Sequence, residues 1–227
     1  MKFGTNEIQK VYLGTTELDG LYFGTNEAYS KSGGIDEYTL GVWHLENNTN
    51  NAVEGSSEEL KTTTLVYSTE FKKFGEYGAR FNVSSGNKKI VNAPTGDFTF
   101  DCWIKTLSSS ASDTSNQYIY PYSANYPIVR SFKNKIRVQY AASSTTDPYY
   151  TDYAYASDTW VHVAFEQYGN NLNTYIDGHL SNTKETSTTG IYFNNASSSY
   201  YAFFDEIRLS NVARYQGQDF TPPTQPY

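Results

Sequence analysis

Trp160-Val161-His162-Val163-Ala164-Phe165, with Asn173-Thr174-Tyr175-Ile176-Asp177-Gly178 shortly after it, decides the architecture of this chain. In the first run Val161, Val163 and Phe165 fall on alternate positions, which on an extended strand turns all three to one side. The second run ends in Asp177-Gly178, and an extended pattern resumes at His179. Asp-Gly between two such runs predicts a two-residue hairpin, whose central residues both need φ > 0. Working outward, Phe98, Phe100, Cys102 and Ile104 alternate in the same way. Further strand patterns run from Tyr38 to Leu45, Ala79 to Val83, Lys89 to Val91 and Ala202 to Leu209, and around Ile128-Val129 and Ile136-Arg137-Val138. About ten strands joined by turns, with no amphipathic helix of three turns, predict an all-β sandwich.

Composition agrees. The chain has 227 residues, of which 22 are Tyr, 13 Phe and 3 Trp. Aromatic and β-branched residues favour strands and supply a core, which argues against disorder. A formal net charge of −7 offers no basic field for phosphates, so nucleic acid is not an expected partner. No apolar run is long enough for a spanning helix, so membrane insertion is not expected. The single Cys102 excludes an intrachain disulfide framework, and its place in the alternation predicts a buried thiol. The opening Met1-Lys2-Phe3-Gly4-Thr5-Asn6-Glu7 lacks the apolar core of a signal peptide, so the chain is expected to reach its workplace without one.

The beginning of the chain is a repeat. Phe3-Gly4-Thr5-Asn6-Glu7-Ile8 recurs as Leu13-Gly14-Thr15-Thr16-Glu17-Leu18 and as Phe23-Gly24-Thr25-Asn26-Glu27-Ala28. Each unit reads as a short strand with a Gly-containing tight turn. So short a stretch cannot bury a core of its own. Residues 1–30 are therefore expected to dock, either on the main domain or on another chain. Ser30-Lys31-Ser32-Gly33-Gly34 is the expected hinge, and residues 35–227 the main domain.

The order of the strand motifs resembles a known family. Gly41-Val42-Trp43-His44-Leu45-Glu46, Phe98-Thr99-Phe100-Asp101-Cys102-Trp103-Ile104-Lys105, the Trp160 to Gly178 pair and Phe204-Asp205-Glu206-Ile207-Arg208-Leu209-Ser210-Asn211-Val212-Ala213-Arg214-Tyr215 are similar to successive strands of laminin-G-like, concanavalin A-like jelly-roll domains. The resemblance spans residues 35 to about 223 and implies a jelly-roll β-sandwich preceded by the short β-repeat. The amino-terminal repeat and the tail Phe220-Thr221-Pro222-Pro223-Thr224-Gln225-Pro226-Tyr227 resemble phage structural proteins that carry this domain. That likeness implies a virion component, in a tail appendage or decorating a head. It also implies other virion proteins as partners, a homo-oligomer, and attachment to a host-surface glycan.

The residues leave several chemistries to weigh. The glucanases that share this sandwich place acids as Glu-x-Asp-x-x-Glu on one strand, and this sequence has no such spacing. Asp205 and Glu206 are adjacent, so on a regular strand they point to opposite faces. A non-enzymatic protein is therefore expected, with glycoside hydrolysis as an outlying alternative. On a regular strand Phe203, Asp205, Ile207 and Leu209 share a face, so Asp205 reads as a half-buried carboxylate. A hydrogen bond to a loop backbone or to an indole satisfies it; calcium is the other reading, as in some members of the resembling family, and no further cofactor is expected. His44, His162 and His179 lack zinc spacing.

The sharpest hint lies in the long polar loops. Residues 108–126 and 141–157 concentrate tyrosines, and Tyr200 and Tyr201 follow later. A Tyr ring offers a flat apolar face at low entropy cost, with a hydroxyl at its tip. Sugar rings present C–H patches that stack on such faces. Tyr120, Tyr122, Tyr126, Tyr149, Tyr150, Tyr153, Tyr155, Tyr200 and Tyr201 are the candidates for glycan contact. The alternatives are a subunit interface and packing of the loops onto the sheet, the first of which makes the protein purely structural.

Overall fold

Alternation carries through to the three-dimensional structure, a computed structural model. It describes residues 35–61, 65–81, 86–106, 117–121, 127–131, 134–140, 150–195 and 203–227, and strand residues 2–3, 6–7, 12–13, 16–17, 20–23 and 26–30. The repeat forms hairpins at its own period. Strands β1 (Lys2–Phe3) and β2 (Asn6–Glu7), β3 (Tyr12–Leu13) and β4 (Thr16–Glu17), and β5 (Gly20–Phe23) and β6 (Asn26–Ser30) pair antiparallel, with each Gly-Thr between the partners. The chain divides into two units, residues 35–222 on one side and Met1–Gly34 with Pro223–Tyr227 on the other.

The larger unit contains β7 (Thr39–Trp43), β8 (Leu65–Ser68), β9 (Gly78–Phe81), β10 (Gly86–Asn92), β11 (Phe98–Lys105), β12 (Gln117–Pro121) and β13 (Pro127–Ser131). It continues with β14 (Lys135–Tyr140), β15 (Tyr150–Ala154), β16 (Trp160–Tyr168), β17 (Asn171–Ile176), β18 (His179–Glu185), β19 (Gly190–Asn195) and β20 (Phe203–Ser210). These form two antiparallel sheets. One has six strands in the order β10-β19-β12-β13-β14-β15; the other runs β18-β17-β16-β11-β20-β9-β8, with β7 also paired to β20. β12 and β15 lie in stretches that read as loops, because their Tyr-rich composition has strand propensity without clear alternation.

Between the sheets lies one core. Phe98, Phe100, Cys102, Ile104, Val161, Val163 and Phe165 line it from the eight-stranded side, and Ile119, Val129, Ile136, Val138, Ile191 and Phe193 from the other. Phe193 meets Phe204 edge-on across the gap, at 5.3 Å. Each fully buried side chain of this size contributes about 1.5–3 kcal/mol. Burial pushes the Cys102 thiol well above its ordinary range, as its alternating position implies. Asp177-Gly178 closes the β17–β18 hairpin with φ of 49° and 79° and Ile176 opposite His179.

One strand breaks its expected parity. In β20 the register steps from Asp101↔Arg208 to Trp103↔Asp205, two residues on β11 against three on β20. The extra residue is absorbed at Glu206, whose φ is 48°. This bulge puts Phe204, not Phe203 or Asp205, with Ile207 and Leu209 in the core. Asp205 is turned to the outer side, beside Trp103.

Candidate functional site

The register of the six-stranded sheet determines what its outward face displays. Ile119, Phe193, Val129 and Val138 point into the core, so their neighbours along each strand point away from it. One outward row contains Arg130, Arg137 and Asp152, successive cross-strand partners on β13, β14 and β15. A second contains Lys89, Tyr192 and Tyr120 on neighbouring strands, and Ile128 and Gln139 on the two that follow. Tyr120 and Tyr192 stack with centroids 5.8 Å apart, and the Lys89 ammonium lies 5.4 Å from the Tyr192 ring. At the far edge Arg137 forks onto Asp152, with Nε 2.6 Å and Nη2 2.8 Å from its carboxylate oxygens, and Lys135 adds a contact at 3.2 Å. The hydrogen bond from Arg137 holds the Asp152 carboxyl below its ordinary range. Tyr120 and Ile128 are buried, whereas Lys89, Arg130, Lys135, Arg137, Gln139 and Tyr192 keep part of their surface in solvent.

The tyrosine candidates divide accordingly. Tyr120 belongs to this face but is fully buried, so it backs Tyr192 and presents no open ring. Tyr150 lies on β15 opposite Gln139. Tyr153, which pairs with the inward Ile136, and Tyr155 both pack against the core cluster while staying partly exposed. Burial, with the nearby Asp177 carboxylate, raises the Tyr155 hydroxyl well above its ordinary range. Tyr122, Tyr126, Tyr149, Tyr200 and Tyr201 lie outside the described residues. The cationic half of the site escaped the tyrosine criterion. Its signal is in Lys135-Ile136-Arg137-Val138-Gln139, where charged or polar residues alternate with apolar ones.

The outer face of the eight-stranded sheet is built differently. Glu166 is fully buried and accepts from the backbone N–H of Tyr215, Gln216 and Gly217 at 2.6, 3.0 and 3.1 Å, and from the Tyr175 hydroxyl at 2.7 Å. Asp101 accepts from Arg208 Nη2 and the Tyr215 hydroxyl, each at 2.9 Å. Phe220 stacks on Tyr215 at 3.6 Å and meets His162 edge-on at 5.6 Å. Burial drives the His162 imidazole down to about 4. Residues 215–220 thus close this face, and its polar groups hold them there.

A second group of acids gathers at the β20 bulge. Asp205 accepts from the N–H groups of Lys73, Phe74 and Glu206 at 2.5, 3.0 and 2.9 Å, and is fully buried. Burial nevertheless raises its carboxyl to about 7. Glu206 takes His44 Nδ1 at 2.9 Å, a bond that raises the His44 imidazole, and Glu46 accepts from the N–H of Glu76 and Tyr77 at 3.0 Å each. A calcium reading of Asp205 does not fit. Its oxygens face backbone donors, and among the described residues no three His, Cys, Asp or Glu side chains converge as metal ligands. These carboxylates anchor residues 73–77.

Comparison with known proteins gives the same frame. Residues 77–217 match the model of a laminin-G family of the concanavalin A-like lectin/glucanases superfamily. No curated protein sequence matches the chain. Among solved structures, a carbohydrate esterase of the Shiga toxin-encoding bacteriophage phi24B is similar with a TM-score of 0.56 at 12% identity, covering 77% of this chain and 99% of that one. A sialidase of Trypanosoma rangeli is similar with a TM-score of 0.53 at 12% identity, covering 81% of this chain and 32% of that one. The chain belongs to the concanavalin A-like lectin/glucanases superfamily, in its laminin-G-like branch.

Proposed function

We propose that this member of the superfamily is a non-enzymatic glycan-binding module of a phage particle, attaching it to a host or environmental surface. The observation that carries the reading is the outward face of the six-stranded sheet, where Tyr192, backed by Tyr120 and approached by Lys89, shares the face with Arg130 two strands away and with Gln139 and Arg137 three strands away. An aromatic ring beside polar side chains suits the alternating apolar and hydroxyl surfaces of a sugar. Support against hydrolysis comes from the acids at the bulge, whose oxygens are occupied by backbone N–H groups and His44. The virion setting rests on the amino-terminal repeat and the carboxy-terminal tail, and the phage-encoded esterase of similar fold is consistent with it. Other virion proteins and further copies of this chain are the proposed assembly partners.

A glycan array tests this reading. The expected result is binding that Tyr192→Ala abolishes while the melting temperature stays within a few degrees, with no sugar released from the bound polymer. Silence across the array, with binding to virion proteins instead, would leave a purely structural subunit. Turnover of a polysaccharide would make it a hydrolase.

A further inference from the structure

The three hairpins at the start of the chain are copies of one another in register as well as in sequence. Phe3 is paired with Asn6, Leu13 with Thr16 and Phe23 with Asn26, each pair flanking a Gly-Thr. One step further out, Lys2 is paired with Glu7, Tyr12 with Glu17 and Tyr22 with Glu27. Each hairpin is a two-stranded sheet of its own, and among the described residues no ladder joins it to another strand. A two-stranded hairpin is marginal in water, and an unpaired strand edge is a template for another strand. The last five residues fall in the same unit as the repeat, but they form no strand, and Pro223 and Pro226 have no N–H to give to a ladder.

We infer that residues 1–30 are the element through which copies of this chain assemble, with equivalent hairpins of neighbouring copies paired edge to edge. This deepens the self-assembly part of the proposed function and rests on it; the glycan site takes no part. The period argues for a second copy as the occupant. A partner of unrelated sequence needs one matching surface, not the same surface three times over. A periodic element is matched by a partner of equal period, and the repeat itself has that period. Charge permits the match. Residues 1–34 carry Lys2, Lys10 and Lys31 against Glu7, Glu17, Asp19 and Glu27, close to balance in a chain whose net charge is −7. Like copies therefore meet at the part of the chain where their mutual repulsion is weak.

The experiment is sedimentation equilibrium of the full chain across a dilution series. The expected result is a multiple of the 25.6 kDa chain mass that dissociates on dilution. Phe3→Asp, Leu13→Asp and Phe23→Asp bring like charges together at matched strand positions, which destabilises the pairing. Each should weaken association at least about tenfold, because the repeats contribute unit by unit. The triple variant should run as a single chain while the sandwich keeps its melting temperature. A second copy of residues 11–20 inserted after Gly20 adds a fourth hairpin and should tighten association at least about tenfold, a gain that misfolding cannot produce. Glu185→Lys, on the exposed edge strand β18 of the sandwich, should leave the mass unchanged. An assembly that survives the triple substitution, one that Glu185→Lys dissociates, or no gain from the fourth hairpin would overturn the inference and leave assembly through the sandwich. A single chain at every concentration would remove both the inference and the self-assembly it rests on.

Discussion

The two outward faces of this sandwich spend their polar residues in opposite ways. On the eight-stranded sheet Asp101, Glu166, His162 and Arg208 are buried beneath residues 215–220, and hydrogen bonds within the chain occupy the carboxylates. On the six-stranded sheet the charged row from Arg130 to Asp152 reaches solvent, with Arg130 directly opposite Arg137. The contrast teaches that a charge in a sheet identifies a site by its register and cover, and not by its type. Glu166 is a carboxylate on a central strand of a fold that hosts hydrolases, yet its geometry makes it a clasp. Arg137 reads in the sequence only as one residue of a strand pattern, yet its register puts it on the outward face beside Asp152.

The largest effect that separates the faces is in stability. Glu166→Ala removes the acceptor of three backbone N–H groups and of the Tyr175 hydroxyl, all under cover. It should cost about 3–5 kcal/mol, read by denaturant unfolding. Arg137→Gln breaks a bidentate pair whose side chains are 22% and 31% exposed, and should cost no more than about 1 kcal/mol. Similar losses from both would erase the contrast.

A subtler effect lies in the pH dependence. The folded state holds His162 down at about 4, against an ordinary 6.5. The unfolded chain therefore takes up that proton first, and this site loses stability as pH falls from about 6.5 to 4. Asp205 is raised to about 7 from 3.8, so the folded chain retains a proton that the unfolded chain sheds. Its contribution is present at low pH and is lost as pH rises through about 7. The slopes oppose each other over the shared window. Asp205→Asn should leave the His162 slope exposed, so that thermal stability relative to the parent rises between about pH 5 and 7. Parallel curves for parent and variant would show that Asp205 titrates normally.

Much of the fold was legible because alternation is a local signal. Val161, Val163 and Phe165 had to share a face, and Asp177-Gly178 had to turn, whatever lay across from them. β20 was misread at Asp205 because a bulge arises from pairing, and nothing local in Phe203-Phe204-Asp205-Glu206 marks the extra residue. The site was legible in part. Tyrosine type pointed to Tyr120, Tyr150, Tyr153 and Tyr155, but inward and outward rings have the same sequence character, and Tyr153 proved inward only through its pairing with Ile136. The opposition of Arg130 and Arg137 depends on the hairpin register across β13 and β14, which the residues between them do not spell out.

Hydrogen exchange of the whole chain, with and without a bound glycan, addresses the difference between the two faces most directly. The account places protection on β12 to β15 and β19, around Arg130, Arg137 and Tyr192, with β16, β17 and residues 215–220 unchanged. Protection confined to β16, β17 and the segment over Glu166, with β13 and β14 unaltered, would contradict it.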